Sequence, residues 1–241
     1  SLVPLTILLF LAGSLRAQPA YLTGWGATKK LGRDLQQALK PAWRSEINEE
    51  PVSLETDVTP FVRPMVYPGD KPLRIIFISA GFLDLMNNAA HAKAIDKIEK
   101  GYFQKYIISL SQESGATSLK DLPNATDKRF WTEAMMNEQL SNFNQMVGMV
   151  VAIDLSHHYL GNLRKYEARL TDAKGGNVPI NNLLTPAEWD ASVRAGAIDS
   201  LECGIGMEGA KALFEAIEKM PKRPAWTAYF LPDSVNVPKL K

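Results

Sequence analysis

The segment WTEAMMNEQLSNFNQMVGMVVAIDLSHHYLG (131–161) constrains the fold of this chain more than any other stretch. It is strongly apolar, and apart from Gly148 it holds no helix breaker before Gly161, so it predicts one long helix. Upstream, RIIFIS (74–79) is a β-branched and aromatic run typical of a strand, and a helical pattern follows over about 83–110. Together these patterns predict an α+β, mostly helical fold with a small β-sheet packed on the long helix.

The remaining elements are read from turn and capping residues. Six prolines between positions 41 and 72 favour extended pieces and turns, and residues 53–67 are predicted to hold one or two strands at a sheet edge. Residues 29–40 predict a short helix. Thr185, Pro186 and Glu188 form a capping-box start for a helix that continues to about 203, and another helix is predicted over 210–220. Residues 116–130 and 171–184 are predicted loops.

Composition limits the class of protein. The chain has 241 residues, of which 46% are hydrophobic and 22% charged, which is typical of one globular domain with a sizeable core. Its net charge is +1, and acidic and basic residues are mixed along the chain without a basic run. This pattern excludes a nucleic-acid-binding function. The single cysteine, Cys203, cannot form an internal disulfide.

The first residues predict export. Leu5 to Ala12 is an apolar run of the length of a signal-peptide core, and small residues follow it. We therefore predict a signal peptide over 1–17, a mature domain over 18–241 without a stable transmembrane segment, and a periplasmic or secreted location. An uncleaved N-terminal membrane anchor is the alternative.

Two of the three histidines stand side by side in VVAIDLSHHYLGN (150–162). On a helix, Asp154 neighbours both His157 and His158, and His158 neighbours Asn162. Helical zinc sites use two imidazoles four residues apart, with a carboxylate beside the first. Here Ile153 stands at the first imidazole position, and Asp154 is one methylene shorter than the usual glutamate.

Three segments in order resemble one family. RIIFISAGFLDLM (74–86), AIDLSH (152–157) and DSLECGIG (199–206) are similar to the strand turn, the HExxH helix and the third-ligand helix of zincin-type zinc metallopeptidases of the CAAX-prenyl-endopeptidase and heat-shock membrane-protease kind. The resemblance covers about 70–220 and implies a zincin-like domain with a helical insertion over about 87–140. It implies a hydrolase acting on a peptide or protein.

The resemblance also implies site residues. His157 and Asp199 would bind zinc, His158 would supply a third ligand from a shifted position, and Asp154 would activate water. Since the first imidazole is missing, the zinc site is expected to be degenerate, as in a pseudoenzyme.

Other interpretations stay open from the residues alone. The chain could be a non-catalytic binding or scaffold protein that keeps the peptidase fold, or a metalloprotein with a rearranged Asp154, His157 and His158 site. The two histidines could equally be hydrogen-bonded packing residues. His91, in an alanine-rich helical pattern, is predicted to be a surface residue. Substrate, partner and oligomeric state are not determined by these patterns.

Overall fold

The computed structural model describes residues 20–112 and 120–233, and the predicted signal segment (1–17) lies outside these residues. The helices are α1 (Ala20–Ala38), α2 (Pro41–Arg44), α3 (Ala80–Ile95), α4 (Tyr102–Ser109), α5 (Glu133–Tyr159), α6 (Asn162–Tyr166), α7 (Pro186–Glu202) and α8 (Glu208–Glu218). The strands are β1 (Val52–Glu55), β2 (Val62–Tyr67) and β3 (Leu73–Ser79). Short 3-10 helices lie at 110–112, 128–131, 167–169, 180–182 and 225–229.

The sheet has three strands in the order β1–β3–β2. β1 runs parallel to β3 with Val52 opposite Ile76, and β2 runs antiparallel to it with Met65 opposite Ile75. The RIIFIS run therefore forms the central strand, and both edge strands come from the proline-punctuated region. The prediction of an α+β, mostly helical fold with edge strands in that region is confirmed.

Helix α5 is the predicted long helix and forms the centre of the core. Every residue from Met146 to His158 is buried. Helices α1, α3, α7 and α8 surround it, and β2 and β3 pack against it. A helix that is apolar on all sides belongs in a protein interior or a membrane. No helix within the described ranges has the combined length and apolarity needed to cross a membrane.

The helical pattern over 83–110 forms two helices rather than one. The chain turns after Ile95, and Gly101, at φ 85°, precedes α4 in a left-handed conformation. The Asp96 carboxylate accepts a hydrogen bond from the backbone N–H of Phe103 (3.1 Å) and so takes up one of the unpaired N–H groups of the first turn of α4. Apolar periodicity does not report such a local hydrogen bond.

The prediction that His91 lies on the surface is wrong. Its side chain is 1% exposed, and its Nε2 lies 2.7 Å from the carbonyl oxygen of Phe130. The ring of Trp131 packs edge-on against it at 4.4 Å. The alanines around His91 are small enough for α5 to pack closely on α3, so they mark a helix contact and not an exposed face.

The close contact between α5 and α7 depends on Gly196. A Cβ at this position would lie 2.8 Å from the backbone nitrogen of Ile153, which is closer than real Cβ contacts. Nearby, the Ser156 hydroxyl, which donates to the Ile153 carbonyl oxygen at 2.6 Å, lies 3.4 Å from the carbonyl oxygen of Ser192. Glycine here therefore lets the two backbones approach, and the register places the first half of α7 beside the C-terminal turns of α5.

We expect Gly196→Ala to lower the free energy of unfolding by about 1–3 kcal/mol, because the new methyl group must displace the backbone of α5. Denaturant unfolding measures this change. Gly26→Ala in α1 is the matched control, since a Cβ there meets nothing within 4 Å and should stabilise the helix by about 0.5–1 kcal/mol. Equal stabilisation of both variants would contradict the close packing of α5 on α7.

Candidate functional site

Polar side chains gather at the C-terminal turns of α5. Asp154, Ser156, His157 and His158 are all at most 4% exposed. Asp154 and His157 share a helix face, with 3.9 Å between Asp154 Oδ1 and His157 Nε2. Buried polar groups in proteins are almost always paired with a partner or with water. The partners of these groups therefore define what the cluster can do.

The first partner of His157 comes from the chain reversal after α5. Helix α5 ends at Tyr159, and Gly161 adopts a left-handed φ of 78°. The Asn162 amide then turns back and donates from Nδ2 to His157 Nδ1 at 3.1 Å. The expectation that Asn162 neighbours His158 is wrong, because it assumed that the helix continues through position 162.

The second partner, Ser192, comes from α7. Its hydroxyl donates to the Glu188 carbonyl oxygen, accepts from Asn162 Nδ2 (3.0 Å), and lies 3.3 Å from His157 Nδ1. Because Asn162 donates into Nδ1, this network assigns the imidazole proton to Nε2. His157 Nε2 makes no well-formed hydrogen bond within the described protein, although the Asn181 side chain lies close enough to raise the pKa of His157.

Burial sets the charges of this cluster. Desolvation raises the pKa of Asp154 well above its usual value, which favours the uncharged carboxyl group. Desolvation lowers the pKa of His157 to about 3, with a further lowering by His158 and a small opposing effect of Asn181. Burial thus opposes the charged forms of both groups that approach each other at 3.9 Å, which disfavours an ion pair between them.

His158 points in a different direction, towards the sheet. Desolvation lowers its pKa to about 4, the Ile75 carbonyl group raises it, and the charge of Arg74 lowers it. Neither of its ring nitrogens makes a well-formed hydrogen bond to any described residue. Successive helix residues point about 100° apart, which separates the two imidazoles.

Asp199 has partners of its own. Its Oδ2 accepts a hydrogen bond from the Tyr159 hydroxyl at 2.6 Å, and the Tyr159 ring stacks on Trp43 at 4.3 Å. Burial raises the pKa of Asp199, whereas the Tyr159 hydrogen bond lowers it. Asp199 lies seven positions after Ser192 on α7, or about 10 Å along the helix axis.

The predicted site residues thus lie with three separate sets of partners. His157 lies with Asn162 and Ser192, His158 faces the sheet, and Asp199 pairs with Tyr159. Across the two described ranges, no three His, Cys, Asp or Glu side chains are grouped so that they could hold a metal ion. Among the predicted site residues Asp154, His157, His158 and Asp199, only Asp154 and His157 come within ion-pair distance of each other. This arrangement does not fit a zinc site of three protein ligands, which would need them to converge.

A cavity of about 550 Å³ opens beside His158. One side is formed by β2 and by the start of β3, including Arg63, Pro64 and Arg74. The rest of the lining comes from the end of α5, from α6 and from residues between 167 and 180. A volume of this size is in the range of ligand pockets.

Strand β2 presents an open backbone edge to this cavity. Pro64 has no N–H, so the Pro64–Ile76 pair cannot be hydrogen-bonded. Hydrogen-bonded and non-hydrogen-bonded pairs alternate along an antiparallel ladder, so the bonds to β3 are made by Arg63, Met65 and Tyr67. The backbone groups of Pro64 and Val66 therefore point away from β3. These outward groups form no hydrogen bond to the part of the chain that the structure describes. An edge of this kind can pair with another extended segment.

Sequence reasoning did not find Ser192, Asn181 or the arginines of the cavity. Ser192 and Asn181 reach His157 only through the packing of α7 and of the 180–182 turn, and no spacing in the chain reports this. The alternation in 61–67 was the available signal for Arg63 and Met65, because it places their side chains on one face of an edge strand.

Comparison with protein-family models, with curated proteins and with solved structures gives no match.

Replacing Asp154 tests its raised pKa. The folded state holds a proton on Asp154 at pH values where the unfolded state has lost it, so the wild type loses stability as the pH rises above the unfolded pKa of about 3.8. Relative to Asp154→Asn, which does not titrate, we expect this loss to approach about 1.4 kcal/mol per pH unit. Urea unfolding of both proteins between pH 4.5 and 7 (roughly the accessible range) measures the difference. A difference that does not change with pH contradicts a neutral Asp154.

Replacing His157 tests a pH dependence of stability that has the opposite sign to that of Asp154. Its folded pKa of about 3 lies below the unfolded value of 6.5, so stability is present above pH 6.5 and is lost as the pH falls towards 3. Relative to His157→Gln, the wild type should lose about 1.4 kcal/mol per pH unit below 6.5. The same urea series measures it, and parallel stability curves for the two proteins would refute the buried neutral imidazole.

Proposed function

We propose that this chain is a non-catalytic binding protein that holds an extended peptide segment of a partner in the cavity beside β2. The observation that carries the proposal is the position of that cavity, along the outward backbone edge of Pro64 and Val66. A peptide that adds to a sheet edge gains affinity from main-chain hydrogen bonds and specificity from pockets for alternate side chains.

The proposed scaffold is zincin-like. β3 leads directly into α3, and Ser79 caps the first turn of this helix. This order is the one that the resemblance of residues 74–86 implies. The segment AIDLSH lies on the central helix α5, and α7 packs against it in antiparallel register. These are the three segments that carry the resemblance to zinc metallopeptidases, and they lie on adjacent elements.

Binding is favoured over hydrolysis by the chemistry of the residues at the motif. Ile153 has no donor atom for a metal, and His157 Nδ1 is occupied by Asn162. Burial favours the uncharged form of Asp154, whereas a general base must be ionised to accept a proton from water. We therefore assign the peptide to the cavity beside His158 and not to the Asp154–His157 cluster.

The cavity has the features that an extended peptide requires. Leu160, Leu163 and Ile180 provide apolar surface opposite the strand edge, and the Arg74–Glu46 pair (2.7 Å) provides a polar rim. Val66 and Tyr67 are more than one third exposed beside it. A second strand could therefore lie along β2 with alternate side chains in the cavity and in solvent.

Removing the outward N–H of β2 tests the proposal. We expect Val66→Pro to weaken binding of fluorescein-labelled random hexapeptide libraries by about tenfold or more, because it deletes one main-chain donor and crowds the edge. Fluorescence anisotropy measures binding. Val66→Thr keeps the N–H and is the matched control. Unfolding by urea should differ little between the two variants, because position 66 makes no hydrogen bond to β3.

Three results would overturn the proposal. Equal peptide binding by Val66→Pro and Val66→Thr would show that the outward backbone edge of β2 does not take part in binding. Failure of the wild type to bind any hexapeptide library would overturn the assignment of a peptide as the ligand. Cleavage of the peptides that a metal chelator abolishes would show a metallopeptidase and overturn the non-catalytic assignment.

A further inference from the structure

We propose that the bound segment is the carboxyl terminus of a partner protein, with its terminal carboxylate on Arg164 and an aliphatic last side chain in the cavity. This inference rests on the proposed function and deepens it by naming the ligand class. It is carried by the charges, the buried histidine and the apolar wall of the cavity.

Among the cations that line the cavity, only Arg164 has no anionic partner in the described ranges. Arg63 pairs with Glu55 at 2.7 Å, and Arg74 pairs with Glu46 at 2.7 Å. Arg164 is exposed and forms neither a hydrogen bond nor an ion pair with any described residue. Its guanidinium is therefore the cation that remains available to a ligand anion, and its planar fork suits a carboxylate.

The orientation of Arg164 fits an anion that enters from the end of α5. Its Nη2 lies 3.7 Å from the position that a Cβ on Gly161 would occupy, so the guanidinium lies over the turn between α5 and α6. Glu167 also lines the cavity and would repel a carboxylate placed next to it. The terminal carboxylate is therefore assigned to the Gly161 side of Arg164.

His158 provides a second polar group in the lining of the cavity. It lines the cavity and is 4% exposed, and apart from the nearby Ile75 carbonyl group its ring nitrogens have no hydrogen-bond partner in the described chain. A neutral imidazole has one donor and one acceptor nitrogen. The acceptor can take the amide N–H of the last ligand residue, which would satisfy a buried group that is otherwise costly.

The remaining wall selects the last side chain. Its aliphatic residues are Leu163, Leu170, Val178 and Ile180, and Thr171 and Asn177 lie among them. An aliphatic side chain buried against this surface is stabilised by the apolar area that it removes from water. A charged side chain buried against these aliphatic residues would lose hydration without gaining a partner from them.

The experiment compares two forms of one ligand library. Fluorescein-labelled hexapeptides with a fixed last residue are prepared as free acids and as carboxyl-terminal amides, and binding to the full chain is measured by anisotropy. We expect the free acids to bind about tenfold tighter or more, since a charge-assisted hydrogen bond is lost in the amide. Leu, Ile or Val as the last residue should bind better than Asp or Lys.

Arg164→Gln should abolish the preference for the free acid, so that both forms bind alike. Arg169→Gln is the matched control, because Arg169 is an exposed arginine of the following turn that does not line the cavity, and it should keep the preference. Retention of the preference in Arg164→Gln would overturn the assignment of the carboxylate to Arg164.

The outcomes separate this inference from the proposed function. Equal binding of acids and amides to the wild type, with binding still lost in Val66→Pro, overturns the carboxyl-terminal ligand and leaves the peptide site. Failure of both forms to bind overturns the proposed function itself. Displacement of the peptides by dodecanoate at lower concentration than by unlabelled free-acid peptides would assign the cavity to a fatty acid instead.

Discussion

The structure depends on the complete burial of the second half of α5. Because this helix is apolar on every side, it must be surrounded, and α1, α3, α7, α8 and the sheet together provide the cover. Close approach is possible only where small residues face the helix, as Gly196 does opposite Ile153. The same burial carries Asp154, His157 and His158 into the interior, since they continue the helix. Their chemistry is therefore a consequence of packing.

Burial then determines what these polar groups can do. Desolvation lowers the pKa of both imidazoles and raises the pKa of the Asp154 carboxyl group, so burial favours the uncharged form of all three. His157 is held by Asn162 and lies away from the cavity, whereas His158 lies against the Ile75 carbonyl group and lines the cavity. Of the two adjacent histidines, only His158 is in contact with the cavity. This asymmetry is why the proposed site lies beside His158.

An open strand edge is usually a liability, because it can pair with other chains. Here the outward edge of β2 lies within a cleft whose other wall is the end of α5, α6 and residues 167–180. Pro64 removes one donor from that edge. In the proposed function, the backbone groups that remain unpaired on this edge are the ones that bind the extended segment of a partner.

The sequence by itself determined the class of fold and the main elements: the RIIFIS strand, the long helix α5, the strands of 53–67 and the capping box at Thr185 all follow from periodicity and local hydrogen bonding. It did not determine the break at Gly101 or the burial of His91. Only the tertiary structure decided which side chains meet at the site, placing Ser192 and Asn162 on His157, Tyr159 on Asp199, and Arg164 beside the cavity. The physical reason is that local patterns fix which face a residue lies on, whereas the partner of that face depends on the packing register between elements distant in the chain.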